Sequence, residues 1–267
     1  MREQTITLAK LPYRLFFRLI DLNIWKTTQN CFGLIPYLKD IFSYSMSEST
    51  SQFKISIRYL NPCLGDRYNQ AGVARGDYFH QDLWMARKIF KANPDEHWDI
   101  GSRIDGFITH LLTFRTVNII DIRNLDSNVS GLNFHCGDVT SLKIPDQSIE
   151  SLSCLHAMEH VGLGRYGDGI DSDGCFKGMR ELQRVLKPGG YLYFSVPLGK
   201  ERVEFNAHRV FNPQTIIRTF SELDLTNFAV VLNGQLHELI EMDSLKDMAN
   251  GYACGLFIFK RPVNEKS

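Results

Sequence analysis

The 267-residue chain is 43% hydrophobic and 22% charged, enough apolar material to bury one large domain or one domain with an extension. Lysine plus arginine balances aspartate plus glutamate at 30 each, so the basic excess usual for nucleic-acid binders is missing and no nucleic-acid partner is expected. Six cysteines without a C-x-x-C pair, no apolar run of membrane-spanning length and no export-type start argue against a metal ribbon, a spanning helix and secretion, and predict a cytoplasmic protein with reduced thiols.

In chain order, Leu8, Leu11, Leu15, Leu19 and Leu22 recur at helical spacing with Lys10, Arg14 and Arg18 between them, and Pro12 sits near the front. Such a segment suits either docking on the body of the protein or peripheral contact with an anionic membrane. Phe16, Phe17 and Ile20 widen its apolar face and favour docking. Ser45 to Ser51 is polar and reads as a linker. Residues 1–75 are therefore set apart as a partly helical N-terminal extension, 76–262 as the main domain and 263–267 as a tail.

Within the main domain, Leu83, Ala86, Ile89 and Phe90 fall on one side of a helix from Asp82 to Lys91, which Pro94 ends. Strand and helix then alternate. Strands are expected at His97–Ile100, Val117–Asp121, Leu132–Cys136, Ile149–Leu155, Tyr191–Val196, Thr226–Leu232 and Ala253–Phe259, with a helix from Gly106 through Leu112. A second helix, marked by Phe176, Met179, Leu182 and Leu186, stops at Lys187-Pro188-Gly189-Gly190, where glycine takes the positive φ of a type II turn. The pattern predicts an α/β, Rossmann-like domain with a seven-stranded, mostly parallel sheet behind an N-terminal helical extension.

Ligands of such sheets bind beyond the carboxyl ends of the strands. Those ends carry Asp99 and Gly101 after the first strand, Asp121 after the second, Gly137-Asp138-Val139 after the third, and His156, Glu159 and His160 after the fourth. Asp121 follows Asp99 by about twenty residues, the spacing at which an acid binds ribose hydroxyls. His156-x-x-Glu159-His160 matches a zinc-hydrolase pattern in letters. That motif belongs on a long helix, whereas here Gly162 and Gly164 follow within a turn. Three imidazoles, His208 included, and a carboxylate are chemically able to hold a borderline metal, but no metal is assigned. Glu159, His160 and His208 are instead candidate catalytic residues, with His160 or His208 as general base since imidazole titrates near pH 6.5. The plainer alternative is that Glu159 and His160 bond to each other or to loop backbone. The glycine-rich loop Gly162–Gly174, with Arg165, Tyr166, Asp168, Asp171 and Asp173, suits a lid or an acceptor pocket for a sugar or polyol.

The acidic glycine turn, the acid after strand two, Gly137-Asp138-Val139, "LHAMEH" and "ELQRVLKPGGYLYFSVP" together resemble class I S-adenosylmethionine-dependent methyltransferases. More narrowly, "HWDIGSRIDGF", "SLSCLHAMEHVGLGRYGDGID", "FNAHRVF", "NPCLGDR" and "GDYFHQDLWMARK" resemble domain-of-unknown-function family 268, whose bacterial members accompany surface-polysaccharide biosynthesis. The resemblance implies S-adenosylmethionine as cofactor and O-methylation of a small molecule or glycan. It places Asp99 and Gly101 at the methionine end, Asp121 on both ribose hydroxyls, Asp138 on the adenine amino group, the Val139 amide on a ring nitrogen and His156 beside the cofactor. The chain departs from the superfamily where Arg103 and Asp105 stand at two positions usually held by glycine. A catalytically degenerate methyltransferase-like binding module is the competing reading, and Arg103 is the residue that favours it.

Overall fold

The structure, a computed structural model, describes residues 24–47, 53–55, 60–239 and 252–263. The amphipathic segment Leu8–Leu22 lies outside them. The chain divides into two compact units, Met1–Val73 and Ala74–Ser267. In the first, helix α1 (Ile24–Met46) carries Pro36 inside it and runs into the expected linker. The Ser45 hydroxyl donates back to the Ile41 carbonyl at 2.8 Å, so polar residues extend the helix here. Arg67 pairs with Asp40 of α1. No helix among the described residues is long and apolar enough to cross a membrane.

The second unit opens with α2 (Asp77–Ala92), one turn longer at its front than the periodicity indicates. Tyr78 and Phe79 in that turn stay 42% and 41% exposed, so no buried stripe marks them. Asn93 in the left-handed conformation closes the helix, its amide on the Ile89 carbonyl. Strand β1 (His97–Ile100) leads through a π-helical turn (Ile104–Ile108) into α3 (Thr109–Leu112). The expected helix over 106–112 is thus split. Gly106 sits where a Cβ would collide with the Asp82 carboxylate of α2. Then follow β2 (Val117–Asp121), β3 (Leu132–Cys136), β4 (Ile149–Leu155), α4 (Gly174–Val185) and β5 (Leu186–Leu198). Gly189 has φ +79 at the anticipated turn. A short hairpin of β6 (Arg202–Glu204) and β7 (His208–Val210) precedes α5 (Pro213–Thr219), β8 (Asp224–Leu232), β9 (Gln235–Leu239) and β10 (Ala253–Lys260).

The main sheet has eight strands in the order β3-β2-β1-β4-β5-β10-β8-β9. This corrects the seven-stranded, mostly parallel expectation. The block β3 to β5 is parallel, whereas β10 runs antiparallel to both β5 and β8, and β9 antiparallel to β8. The added strand follows from Asn233-Gly234, both at positive φ (52° and 74°), which make the tight turn that pairs consecutive strands. Strand residues alternate between two buried layers. On one face Phe257, Phe194 and Leu152 meet Met179 and Leu182 of α4 and Ile216 of α5. On the other, Leu256, Ile258 and Ile119 meet Met85 and Ile89 of α2 and Phe107. Cover on both faces explains why these strands read as continuous apolar runs. The switch in strand order falls at β1, between β2 and β4, and opens a crevice at their carboxyl ends.

Candidate functional site

A cavity of about 400 Å³ occupies that crevice. Its walls include Gly101, Asp121, Asp138 and Val139 from the ends of β1, β2 and β3, and His156, Glu159, His160 and His208 from β4 onward and from β7. Eight of the nine residues singled out from the sequence thus meet at one space. Asp99 stands apart. It is fully buried beneath the first turn, accepting from the Ser102 amide at 3.0 Å, the Ser102 hydroxyl at 2.6 Å and the Ser153 hydroxyl. It shapes the turn, and burial raises its carboxyl to about 6.

The turn itself is open. Gly101 has φ +70, a conformation that favours glycine. Arg103 does not fill the cavity. Its guanidinium reaches Asp105 at 2.8 Å with the side chain 55% exposed, over the Tyr78 ring at the rim. Asp121 is engaged on both oxygens by Arg123, Oδ1 by the amide at 2.8 Å and Nε at 3.0 Å, Oδ2 by NH2 at 2.7 Å. Arg123 in turn lies 4.4 Å from the Tyr166 ring centre. Both Thr140 donors land on Oδ1 of Asp138, each at 2.8 Å, leaving Oδ2 clear of them. Ile100, Ile120 and Ile122 supply apolar surface between these groups.

The histidine cluster is built on a backbone reversal. His156 leaves β4 with φ +48, its amide held by the Ser195 carbonyl at 3.0 Å. Nδ1 contacts Glu159 Oε1 at 2.8 Å and Nε2 contacts Cys254 Sγ at 3.1 Å. Burial works against charge on His156, but Glu159 and Cys254 outweigh it and hold the imidazole well above its usual range. With both nitrogens engaged inside the protein, His156 offers a ligand no free polar ring atom. Burial likewise opposes charge on Glu159, yet the His156 and His160 rings leave its carboxyl lowered. Oε2 of Glu159 is buried with no hydrogen-bond partner among the described residues.

His160 is different. Its Nδ1 lies 2.7 Å from the Ala207 carbonyl, which can only accept, so Nδ1 carries the proton and the neutral ring presents a bare Nε2. Burial lowers the pKa of this ring and keeps it neutral. Nε2 stands 3.6 Å from Glu159 Oε1, placed to stabilise charge arriving there. His208, from the hairpin, has its Nε2 buried and unbonded, 3.7 Å from Glu204 Oε2. Among the described residues no three His, Cys, Asp or Glu side chains converge on a metal position.

The glycine-rich loop folds over the cavity on its own bonds. Asp168 accepts from the amides of Gly162 (2.7 Å), Gly164 (3.3 Å) and Tyr166 (3.3 Å). Burial raises its carboxyl, but those amides outweigh that effect and leave it lowered. Arg209 of β7 donates to the carbonyls of Val161 (2.6 Å), Asp171 and Ser172 (3.3 Å each), tying loop to hairpin. Sequence reasoning passed over Tyr78, Arg123, Tyr252 and Cys254, all in or against this site. Only Arg123 left a local trace, two residues after Asp121.

Residues 136–247 match the family described as "Caenorhabditis protein of unknown function, DUF268". A curated relative, the sterol 24-C-methyltransferase erg6 of Aspergillus fumigatus, is 24% identical over 144 residues, 47% of this chain. The chain spans about a third of that relative's length, 35%. Among solved structures, the [4+2]-cyclase SpnF superposes with TM-score 0.50 at 13% identity, over 73% of this chain and 86% of that one. A protein from Galdieria sulphuraria described as a sarcosine dimethylglycine methyltransferase does so with TM-score 0.50 at 12% identity, over 69% and 86%. The chain therefore matches the DUF268 family across residues 136–247 and resembles class I S-adenosylmethionine-dependent methyltransferases in fold.

Proposed function

We propose that this chain is an S-adenosylmethionine-dependent methyltransferase acting on a hydroxyl of a small molecule or glycan. The observation that carries this reading is a single cavity with Asp121 at one wall and a bare imidazole nitrogen, His160 Nε2, at another. The residues present fit the cofactor. Gly101 leaves its turn open, Arg103 is turned out to Asp105, and Asp121 and Asp138 supply acceptor oxygens among three isoleucines. Asp121 would hold the ribose hydroxyls and Asp138 the adenine amino group. For this Arg123 must yield its place on Asp121. The Arg123 side chain is 53% exposed and has solvent to turn into, while the Asp121 carboxylate, 16% exposed, stays at the cavity wall.

When bound, S-adenosylmethionine provides an electrophilic methyl group whose bond to sulfur breaks with the electron pair left on sulfur. The protein's own task is to hold and deprotonate the acceptor. His160 Nε2 takes the hydroxyl proton as the acceptor oxygen forms its new bond to carbon, and Glu159 faces the imidazolium that results. The Ala207 carbonyl fixes the ring in the tautomer this requires. His156, already charged, neutralises Glu159, so the carboxylate stabilises the cation without itself taking the proton.

The Arg123 clasp on Asp121 also suits a second reading, a methyltransferase-like binding module in which the arginine keeps the ribose position filled. The superposed [4+2]-cyclase SpnF is named for a different reaction, and a shared architecture does not fix the chemistry. Calorimetric titration of the full chain with S-adenosylmethionine and S-adenosylhomocysteine separates the two. Methyl transfer predicts saturable one-to-one binding that Asp121→Ala weakens at least tenfold. Absence of binding by a folded sample transfers the assignment to the module.

A further inference from the structure

The arginines around the cavity are not in the same electrostatic state. Arg103 is paired with Asp105 and Arg123 with Asp121, while Arg209 is taken up by three backbone carbonyls. Arg165 lines the cavity with no carboxylate at ion-pair distance among the described residues. Asp168, three residues on, has its oxygens on the loop amides. What positions Arg165 is the Ala207 carbonyl, which accepts from its NH1 at 2.8 Å and from His160 Nδ1 at 2.7 Å. The guanidinium is thereby held 3.3 Å from the ring of the residue that takes the acceptor proton.

Two buried polar atoms have no hydrogen-bond partner among the described residues, Glu159 Oε2 and His208 Nε2, both on residues lining the cavity. Leaving such an atom unpaired costs about 1–3 kcal/mol, so an occupant that brings hydroxyl groups, which both donate and accept, is favoured over an apolar one. Glu159 Oε2 thus calls for a donor, and the same cavity presents the guanidinium of Arg165. Tyr166 stands edge-on to His160 at 5.4 Å, and the Arg165 guanidinium lies 5.1 Å from the same ring centre.

We infer that the acceptor is a polyhydroxylated acid, with its reacting hydroxyl toward Glu159 and His160 and a carboxylate or phosphate group held by Arg165. An anionic oxygen group answers a guanidinium with charge-assisted bonds, which a neutral sugar cannot make. The inference takes the role of His160 from the proposed methyl transfer, but the anion site stands on Arg165 alone.

The test is calorimetric titration of the full chain with D-glucuronate, D-glucose 6-phosphate and D-glucose, with and without saturating S-adenosylhomocysteine, repeated on Arg165→Gln and Arg165→Lys. Arg165 is exposed and in a loop, so both variants should fold. The expected result is that at least one acid binds about tenfold or more tighter than glucose, that Arg165→Gln abolishes the difference and that Arg165→Lys keeps part of it. The two acids distinguish carboxylate from phosphate. Equal binding of acids and glucose, binding of none, or a preference that survives Arg165→Gln would overturn the inference. Arg165-dependent acid binding by a protein that ignores S-adenosylhomocysteine would keep the anion site and remove the methyltransferase reading. The converse pattern would do the reverse.

Discussion

His156 accepts a left-handed backbone, φ +48, that costs a side-chain-bearing residue about 1–2 kcal/mol. The ring so placed is held by the buried pair with Glu159 and the contact with Cys254. In ¹⁵N imidazole spectra His156 should therefore stay protonated on both nitrogens to higher pH than His160, which is neutral with its proton on Nδ1. Glu159→Gln should lower the pH at which His156 loses its proton and destabilise the protein most at acid pH, where the ring stays charged without its partner, by up to about 3–5 kcal/mol. A His156 resonance unmoved by that change would sink the ion-pair account. That Asp121, Asp138, Glu159 and His160 reach the cavity was legible in the sequence because polar residues at the carboxyl ends of parallel strands have a predictable address, whereas His208 was singled out only as a further histidine in "NAHRV" and begins a hairpin strand. Cys254 was not: its tie to His156 spans 98 residues, and it lies in an apolar run that reads as plain core. Asp99 was found for the same positional reason, yet the structure turns it inward to its own turn.

At the scale of elements, the loop over the cavity and the β6–β7 hairpin behave as one piece because Arg209 bonds three loop and pre-loop carbonyls. Gly162, at φ +82, lies where a Cβ would strike the Asp171 carbonyl, so the loop closes tightly on itself. Arg209→Met should keep the fold but remove the side-chain donor from the Val161 and Ser172 carbonyls and leave the Asp171 carbonyl only the Gly174 amide. Amide exchange at Gly162 and Asp171 is expected to quicken roughly ten- to a hundredfold, equivalent to about 1–3 kcal/mol of local opening. Unchanged protection would mean that Asp168 alone holds the loop. The glycine content announced a loop here, but nothing in local sequence announced its anchor in "NAHRV". The bounds of β1 to β4 were readable to the residue, whereas β5 begins five residues before the expected Tyr191 and ends two after Val196, because the strand takes in the Lys187–Gly190 stretch read as a turn. β9 was missed although Asn233-Gly234 is a strong hairpin signal, because its residues alternate in exposure and belong to an edge.

Across the whole molecule, two buried groups of the sheet titrate against each other. His97 lies between the Ser151 and Ser153 hydroxyls at 2.7 and 2.8 Å, and Ser153 donates to Asp99. Burial lowers His97 from 6.5 to about 3, so its contribution is full above pH 6.5 and is lost as pH falls toward 3. Burial raises Asp99 from 3.8 to about 6, so its contribution is greatest below pH 3.8 and is lost as pH rises toward 6. Between pH 4 and 6 the slopes oppose, each at most about 1.4 kcal/mol per pH unit. Urea unfolding at pH 4.5 and 6 should show Asp99→Asn more acid-sensitive than the parent and His97→Gln less so. Shifts of the same sign in both variants would refute the opposition. The mixed sheet carries one more implication, for the order in which the protein becomes competent. β10 lies between β5 and β8 and delivers Cys254 to His156. Synthesis proceeds from the N-terminus, and domains fold as units. A nascent chain already displaying Asp121, Glu159 and His160 therefore still lacks a wall, and the pocket is finished only when the last described strand takes its place in the middle of the sheet.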